Sequence, residues 1–280
     1  MARFSGKVAI VTGSSNGIGR ATALLFAREG AQVTITGRNA ERLEETRQQI
    51  LKAGVSPNNV NSVIADITSG DGQDELIRST IGKFGRINIL VNNAGASIPD
   101  KNIPTGFGQG MDTFDANLNI NIRSVVELTN KVVPHLAATK GEIVNISSTA
   151  SGPTAWTEMS YYSVAKAALD QYTRNSALSL IDQGIRVNSI NSGCVVTGFS
   201  AAMGVPQEIG DKIVAMMVAT KSCIPVGFAG QPEHIAQVIA FLADRNASGY
   251  MIGQQLIVDG GSSLVMGMAA SNFVDFLHQK

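Results

Sequence analysis

Seven short apolar runs alternating with helix-period segments, a glycine-rich turn directly after the first run, and no linker-like tract anywhere predict one doubly wound α/β domain over residues 1–280. Parallel neighbours need a crossover between them, so helices are expected on both faces of a seven-stranded parallel sheet.

The elements follow in order. Lys7 to Thr12 is the first strand, and the helix after it runs from Ile18 to Arg28, with Ile18, Ala21 and Leu25 on one face and Gly30 closing it. Gln32 to Thr36 is the second strand. The next helix starts behind Asn39 as N-cap and turns Leu43 and Ile50 inward. Val60 to Ala65 is the third strand, followed by a helix carrying Leu76, Ile77, Ile81 and Phe84, and then the fourth strand, Ile87 to Val91. A long helix near Phe114 to Leu136 leads to the strand Glu142 to Ile146, and a helix from Tyr161 to Leu180 leads to the strand Ile185 to Ile190. Glu233 to Leu242 and Gln255 to Val258 supply the last helix and strand.

Composition narrows the function classes. Lys plus Arg and Asp plus Glu are 22 each, a formal net charge of +0, and no basic run could track a phosphate backbone, which argues against nucleic acid. A 44% hydrophobic fraction is enough to line a core without a metal or a disulfide. Cys194 and Cys223 lack C-x-x-C spacing and read as free thiols; no metal site is expected. The amino end holds no signal-peptide core and no stretch is long enough to span a bilayer, so the expected location is the cytoplasm.

In doubly wound sheets ligands bind beyond the carboxyl ends of the strands. After the first strand the chain reads Thr12-Gly13-Ser14-Ser15-Asn16-Gly17-Ile18-Gly19. Gly13 permits the turn, Gly17 lets backbone approach a diphosphate, and Gly19 lets helix and sheet pack closely, with the helix N-terminus facing the anion. A ligand-free strand-to-helix turn is the competing reading of the glycines alone. The second strand ends at Thr36-Gly37-Arg38, where a carboxylate would select NAD(H) and repel a 2′-phosphate. No acid stands there and a guanidinium comes next, which favours NADP(H), with NAD(H) as the alternative. Arg38 has a second reading as a solvated residue paired with Glu41 or Glu44. Asp66 and Ile67, after the third strand, are placed to meet an adenine, although Asp66 also reads as a turn aspartate.

Asn92-Asn93-Ala94-Gly95 comes after the fourth strand and Asn145-Ile146-Ser147-Ser148 closes the fifth. Tyr162 and Lys166 share a helical face at i and i+4, so the ammonium can favour ionisation of a phenol that otherwise titrates near pH ~10. Such a pair is also a common surface arrangement; its place opposite Ser148 and the glycine turn is what singles it out.

Taken together, TGSSNGIG at 12–19, NNAG at 92–95, Asn121, ISS at 146–148, YSVAK at 162–166 and Val258-Asp259-Gly260-Gly261 resemble the classical short-chain dehydrogenase/reductase family across residues 5–262. The resemblance implies a Rossmann-type fold and a tetrad of Asn121, Ser148, Tyr162 and Lys166. In it Tyr162 is general acid for reduction and base for oxidation, and Ser148 bonds the substrate oxygen. Lys166 holds the nicotinamide ribose, and Asn121 anchors a relay water. The cofactor set it implies is Gly13, Ser15, Asn16, Gly17, Ile18, Gly19, Arg38, Asp66, Ile67, Asn93, Ala94, Gly95, Tyr162, Lys166, Gly193, Val196 and Thr197. Ser147 is the second choice for the serine, while Tyr161 is out of register with Lys166. The family's usual Pro-Gly after the sixth strand is replaced by Ser192-Gly193, so that loop lacks one fixed φ. Cys194 beside it reads as packing.

The resemblance also implies that residues 197–226 fold over the substrate as a lid. Its Phe199, Met203, Ile209, Ile213, Met216 and Met217 suggest a pliable pocket for a lipophilic ketone or alcohol, the alternative being the ordinary core of two short helices. The resemblance also implies a homotetramer, and the apolar tail 262–280 could pack on a neighbour or on the pocket. The favoured function is a carbonyl reductase or alcohol dehydrogenase. A 3-oxoacyl-thioester reductase, marked by a basic patch near the cleft, and a catalytically silent dinucleotide-binding scaffold are the rivals.

Overall fold

Val8, Ala9, Ile10 and Val11 are all fully buried, so the first apolar run is a strand covered on both faces, β1 (Val8–Val11). Side chains alternate across it: Ala9 and Val11 enter one core cluster and Ile10 the other. The computed structural model of the chain describes residues 2–103 and 105–265.

After β1 come α1 (Gly17–Arg28), β2 (Gln32–Gly37), α2 (Ala40–Lys52), β3 (Val60–Ile64), α3 (Gly70–Phe84) and β4 (Ile89–Asn92). Next are α4 (Met111–Leu118), α5 (Ser124–Thr139), β5 (Glu142–Ser148), α6 (Ser160–Leu180) and β6 (Arg186–Ser192). The chain continues through α7 (Phe199–Ala202), α8 (Gln207–Ala219), α9 (Pro232–Ala243), α10 (Arg245–Ser248) and β7 (Gln255–Val258). All seven expected strands are present in one parallel sheet of order β3-β2-β1-β4-β5-β6-β7. The direction of winding reverses between β1 and β4, which opens a crevice above their carboxyl ends.

On one face Ala23 and Phe26 of α1 and Ile235 and Ile239 of α9 cover Ala9, Val33 and Val144. On the other, Leu76 of α3, Leu128 and Val132 of α5 and Ala177 of α6 cover Ile10, Leu90 and Val187. Asn39 caps α2 as expected, its side chain accepting from Arg42 N at 2.8 Å. β5 and β6 run two residues past the apolar rhythm because Ser147 and Ser148 pair with Asn191 and Ser192 inside the sheet. The long helix expected near 114–136 is also present, but as α4 and α5 joined through a π-helical segment, Asn119–Arg123.

At the opposite, amino end of β5 and β6, Glu142 is 2.8 Å from Arg186 and 2.7 Å from Arg245. Burial pushes the Glu142 carboxyl above its usual range, against the pull of the two arginines. Arg186 also donates to the carbonyls of Leu242, Ser248 and Met251, so this charge cluster ties α9, α10 and the approach to β7 onto the sheet. Cys194 and Cys223 are free thiols. Among the described residues no helix is long and apolar enough to cross a membrane, and no cluster of His, Cys, Asp or Glu could hold a metal ion. The expectation for the tail beyond Val265 lies outside the described residues.

Candidate active site

The turn between β1 and α1 is closed by contacts that leave no room for side chains. A Cβ at Gly19 would stand 2.4 Å from Gly13 O, and Gly13 itself has φ +62°. At Gly17, φ +50°, a Cβ would meet Thr197 Cγ2 at 2.9 Å, so the glycine turn and the start of the lid lie against each other. Thr12 Oγ1 accepts from the backbone N–H groups of Asn93 and Ala94 at 3.0 Å each, and Asn93 Nδ2 donates back to Thr12 O and Gly13 O. Those bonds join the ends of β1 and β4, the two sides of the crevice.

Ser15 sits beside the end of β2, where a Cβ on Gly37 would stand 3.2 Å from Ser15 Oγ. Arg38 is exposed and makes no ion pair among the described residues, while Glu44, its suggested partner, takes Arg47 instead. Arg38 is close enough to Asp66 to help hold that carboxyl below its usual range; burial opposes this, and the bonds from Thr68 contribute more to it than Arg38 does. Asp66 Oδ1 accepts from Thr68 N and Oγ1, the geometry of a turn aspartate. Ile67 is packed in the core, and its carbonyl accepts from Gln73 Nε2 at 2.8 Å. Asn16 is the N-cap residue of α1, and its Nδ2 lies beside Gly198. Gly193 packs on Asp259, where a Cβ would stand 2.6 Å from Asp259 Cβ. Val196 is half exposed and is held by its N–H to Gly230 O at 2.9 Å.

Above β4 and β5 the other expected residues converge. Asn121 lies in the π-helical segment, fully buried, its Nδ2 donating to Ala96 O at 2.7 Å and Asn117 O at 3.0 Å. Its Oδ1 accepts from Ala96 N at 3.2 Å. A π turn inside a helix shifts the phase of the later turns and is frequent at functional sites. Gly95 passes so close that a Cβ would stand 3.2 Å from Lys166 Nζ. Lys166 Nζ donates to Ile146 O at 2.8 Å and lies 5.6 Å from the Tyr162 ring centroid. Ser148 Oγ accepts from Ala150 N at 3.1 Å and is hydrogen-bonded to the Tyr162 phenol. Ser147 Oγ instead faces Lys166 O, which leaves Ser148 as the neighbour of Tyr162.

Burial dominates both titrating groups. It pushes the Tyr162 phenol up to about 12, against the Ser148 hydrogen bond. It pulls the Lys166 ammonium down to about 8, against the charge of Asp170. The expected ionising effect of Lys166 on the phenol is therefore outweighed in the free chain.

The mouth of the site is lined by Ser97, Gln109, Asn117, Glu158, Met159, Tyr161, Tyr162 and Met203. Of the lid, Phe199 packs edge-on to Tyr162 with centroids 5.5 Å apart, and Met203 joins the same cluster. Ile209, Ile213 and Met216 of α8 are exposed among the described residues.

This constellation has counterparts. A family profile described as enoyl-(acyl carrier protein) reductase matches residues 13–263. The 3-oxoacyl-(acyl-carrier-protein) reductase of Thermotoga maritima is 34% identical over 260 residues, 92% of this chain and 98% of its own. The chain belongs to the classical short-chain dehydrogenase/reductase family.

Two solved members from Caenorhabditis elegans are nearer in sequence. A short-chain dehydrogenase/reductase of unknown function, solved with cofactor, is 59% identical with a TM-score of 0.95, covering 96% of this chain and all 100% of its own. A glucose dehydrogenase in the apo form is 61% identical with a TM-score of 0.82, covering 94% and 100%. Like them, this short-chain dehydrogenase/reductase is an oxidoreductase of a single seven-stranded sheet.

Asn117 and Asp100 went unread in the sequence, and Tyr161 was set aside. Asn117 grips the segment after Gly95 by accepting from Ile98 N at 3.0 Å and donating to Ile98 O at 2.9 Å. It precedes Asn121 by four residues, the same spacing that drew attention to Tyr162 and Lys166. Asp100 accepts from the N–H groups of Asn102, Ile103 and Gly110 and from Thr113 Oγ1, which pins the loop carrying Gln109. Tyr161, set aside as out of register, donates to Gln109 O at 2.6 Å and so anchors that loop to α6.

Proposed function

We propose that this enzyme moves a hydride between NADP(H) and a carbonyl or secondary alcohol of a small molecule with an apolar body. The observation that carries the reading is the convergence of the Tyr162 phenol, the Ser148 hydroxyl and the Lys166 ammonium beside the glycine turn. A dinucleotide fits the chain's own features. The crowded glycines 13, 17 and 19 leave a bare backbone cradle, and Gly95 keeps the space over Lys166 free of side chain. Gly13, Ser15, Asn16, Gly17, Ile18 and Gly19 would hold the diphosphate. Asp66 and Ile67 would flank the adenine, and Asn93, Ala94, Gly95, Gly193, Val196 and Thr197 the nicotinamide half. The unpaired Arg38 beside Gly37 and Ser15 supports a 2′-phosphate there. When bound, the nicotinamide supplies or accepts the hydride.

The proton is the protein's part. In reduction Tyr162 Oη gives its proton to the substrate oxygen; a phenol titrating near 12 holds that proton at neutral pH. Ser148 Oγ is already satisfied as an acceptor by Ala150 N, which frees its own O–H to donate to the same oxygen. Lys166 brings a cation next to the phenol and favours its recovery or loss of charge. Both hydrogens of the Asn121 amide are committed to Ala96 and Asn117, which fixes its side chain beside Gly95; by resemblance Asn121 would anchor a relay water.

The pocket lining supports a small substrate over an acyl carrier. Among the described residues its one charged member is Glu158, an acid, where an acidic carrier would call for lysine or arginine. Ser97, Gln109 and Asn117 beside Met159 and Met203 suit a substrate that carries a polar group besides the reacting oxygen. By resemblance the enzyme works as a homotetramer in the cytoplasm.

The test is fluorescence titration of the purified protein with NADPH and NADH, then turnover on a panel of ketones. NADPH preference with ketone-dependent oxidation is expected, and Tyr162→Phe should bind cofactor normally but lose turnover on the order of 1,000-fold. No binding of either nucleotide would overturn the reading, and retained turnover in the phenylalanine variant would overturn the role of Tyr162.

A further inference from the structure

One buried acid in the site has no part in this proton chemistry. Asp170 comes four residues after Lys166 and eight after Tyr162, so the three stack on one face of α6. All three are buried, with Asp170 at 7% exposure. An acid this deep in a helix is rare unless something holds it.

Its Oδ2 is held tightly. Asn191 Nδ2 of β6 donates to it at 2.6 Å, and Ser151 Oγ lies 2.6 Å away. Ser151 Oγ is also 2.6 Å from Ser148 O and 2.8 Å from Asn191 Nδ2. Having one proton, the Ser151 hydroxyl donates to Asp170 or to Ser148 O at any moment, while Asn191 Nδ2 reaches Ser148 O at 3.3 Å. The cluster therefore encloses the short turn 149–151, whose Ala150 N–H orients Ser148 Oγ. Among the described residues Oδ1 has no hydrogen-bond partner, so that oxygen is left without a donor in the interior.

Among the described residues, the groups facing Lys166 make Asp170 its only nearby counter-charge. On its own helix these are Tyr162 and Asp170. β5, β6 and the 149–151 turn bring serines, Asn191 and backbone oxygens, whereas Glu142 and Arg186 are at the other end of those strands. Asp112 and Asp115 of α4 and Arg123 of the π-helical segment are exposed on the far side of their helix.

We infer that Asp170 is a positioning residue of the active site: through Ser151 and Asn191 it fixes the turn that aims Ser148, and through its charge it keeps Lys166 an ammonium. The kinetic part of this inference rests on the oxidoreductase reading. Its electrostatic part does not.

The experiment uses the full chain labelled with 13Cε-lysine, the Lys166 signal being assigned by its loss in Lys166→Met. Asp170→Asn keeps the shape and removes the charge. The Lys166 midpoint should fall, because the charge of Asp170, one helical turn away, is what opposes the effect of burial on the ammonium. An unchanged midpoint would overturn the charge role whatever the turnover. In parallel, Asp170→Ala should lower kcat about tenfold with the dinucleotide KM little changed, since a misaimed Ser148 acts on the reacting oxygen and not on cofactor binding. Asp170→Glu should recover part of that loss. A wild-type kcat in Asp170→Ala would overturn the clamp. A wild type that turns over no carbonyl would instead sink the oxidoreductase reading, and the lysine titration would still decide this one.

Discussion

Gly95 and Asn121 approach each other more closely than any residue with a side chain would allow: a Cβ built on Gly95 stands 2.7 Å from Asn121 Oδ1. Because Asn121 is held at three points, by Ala96 N, Ala96 O and Asn117 O, it has nowhere to retreat. Gly95→Ala should therefore displace the floor of the site. We expect kcat to fall on the order of 100-fold, as small misplacements near the chemistry do. Steady-state rates read beside a melting curve would check this, and an unimpaired rate would show that the approach has no bearing on catalysis.

Lys166 trades stability for function. Its ammonium titrates near 8 in the folded chain, below its ordinary value of 10.5, because burial disfavours the charge. Between those two pH values the unfolded chain holds the extra proton, so stability rises with pH across that window; below about pH 8 the whole penalty is present. Lys166→Met should be inactive yet melt higher than wild type at pH 7, with the gap closing toward pH 10. Melting curves across pH would show it, and a lower melting point for the methionine variant at pH 7 would refute the argument.

The end of β2 should govern cofactor choice. Arg38→Ala removes the free guanidinium, and loss of a charge-assisted bond of about 1.5–3 kcal/mol should weaken NADPH roughly tenfold or more with little effect on NADH. Gly37→Asp puts a carboxylate beside Ser15 and should push the preference further toward NADH. Dissociation constants for both nucleotides measure this directly. Equal losses in the alanine variant would assign Arg38 to the solvent.

Glu142 neutralises Arg186, whose side chain is only 2% exposed. Glu142→Ala would leave that guanidinium inside without its counter-ion, and breaking a buried pair in this way costs about 3–5 kcal/mol. Urea unfolding would register the loss as a lower midpoint. A change under about 1 kcal/mol would mean that the carbonyls of Leu242, Ser248 and Met251 suffice for Arg186.

Much of this site was legible because its residues sit at strand ends and at fixed helical offsets. The strands are marked by runs such as Val8–Val11, and the glycine turn by spacing that only close packing explains. Serines at 147 and 148 hid the end of β5, since polarity reads as surface when in fact both are enclosed by the sheet. Periodicity identifies an apolar face in α8 but not what covers it: among the described residues Ile209, Ile213 and Met216 stand exposed, while Phe199 and Met203 of the same lid pack at Tyr162. Burial also reversed the expected balance at Tyr162, and depth is a property of the assembled fold that no local spacing displays. Asp170, the next step after Tyr162 and Lys166 on α6, went unread because its partners Ser151 and Asn191 lie on other elements.

The π-helical segment at Asn119–Arg123 divides one long rod into two halves with separate duties. The half before it turns Asn117 toward Ile98, while the half after it turns Leu128, Val132 and Leu136 into the core. Removing one residue there to restore regular winding would swing one half by about 100° relative to the other. The extra residue thus works as a fixed angular offset, a joint without motion. It lets the substrate-facing half be redesigned for a different ligand while the structural half stays in step with the sheet.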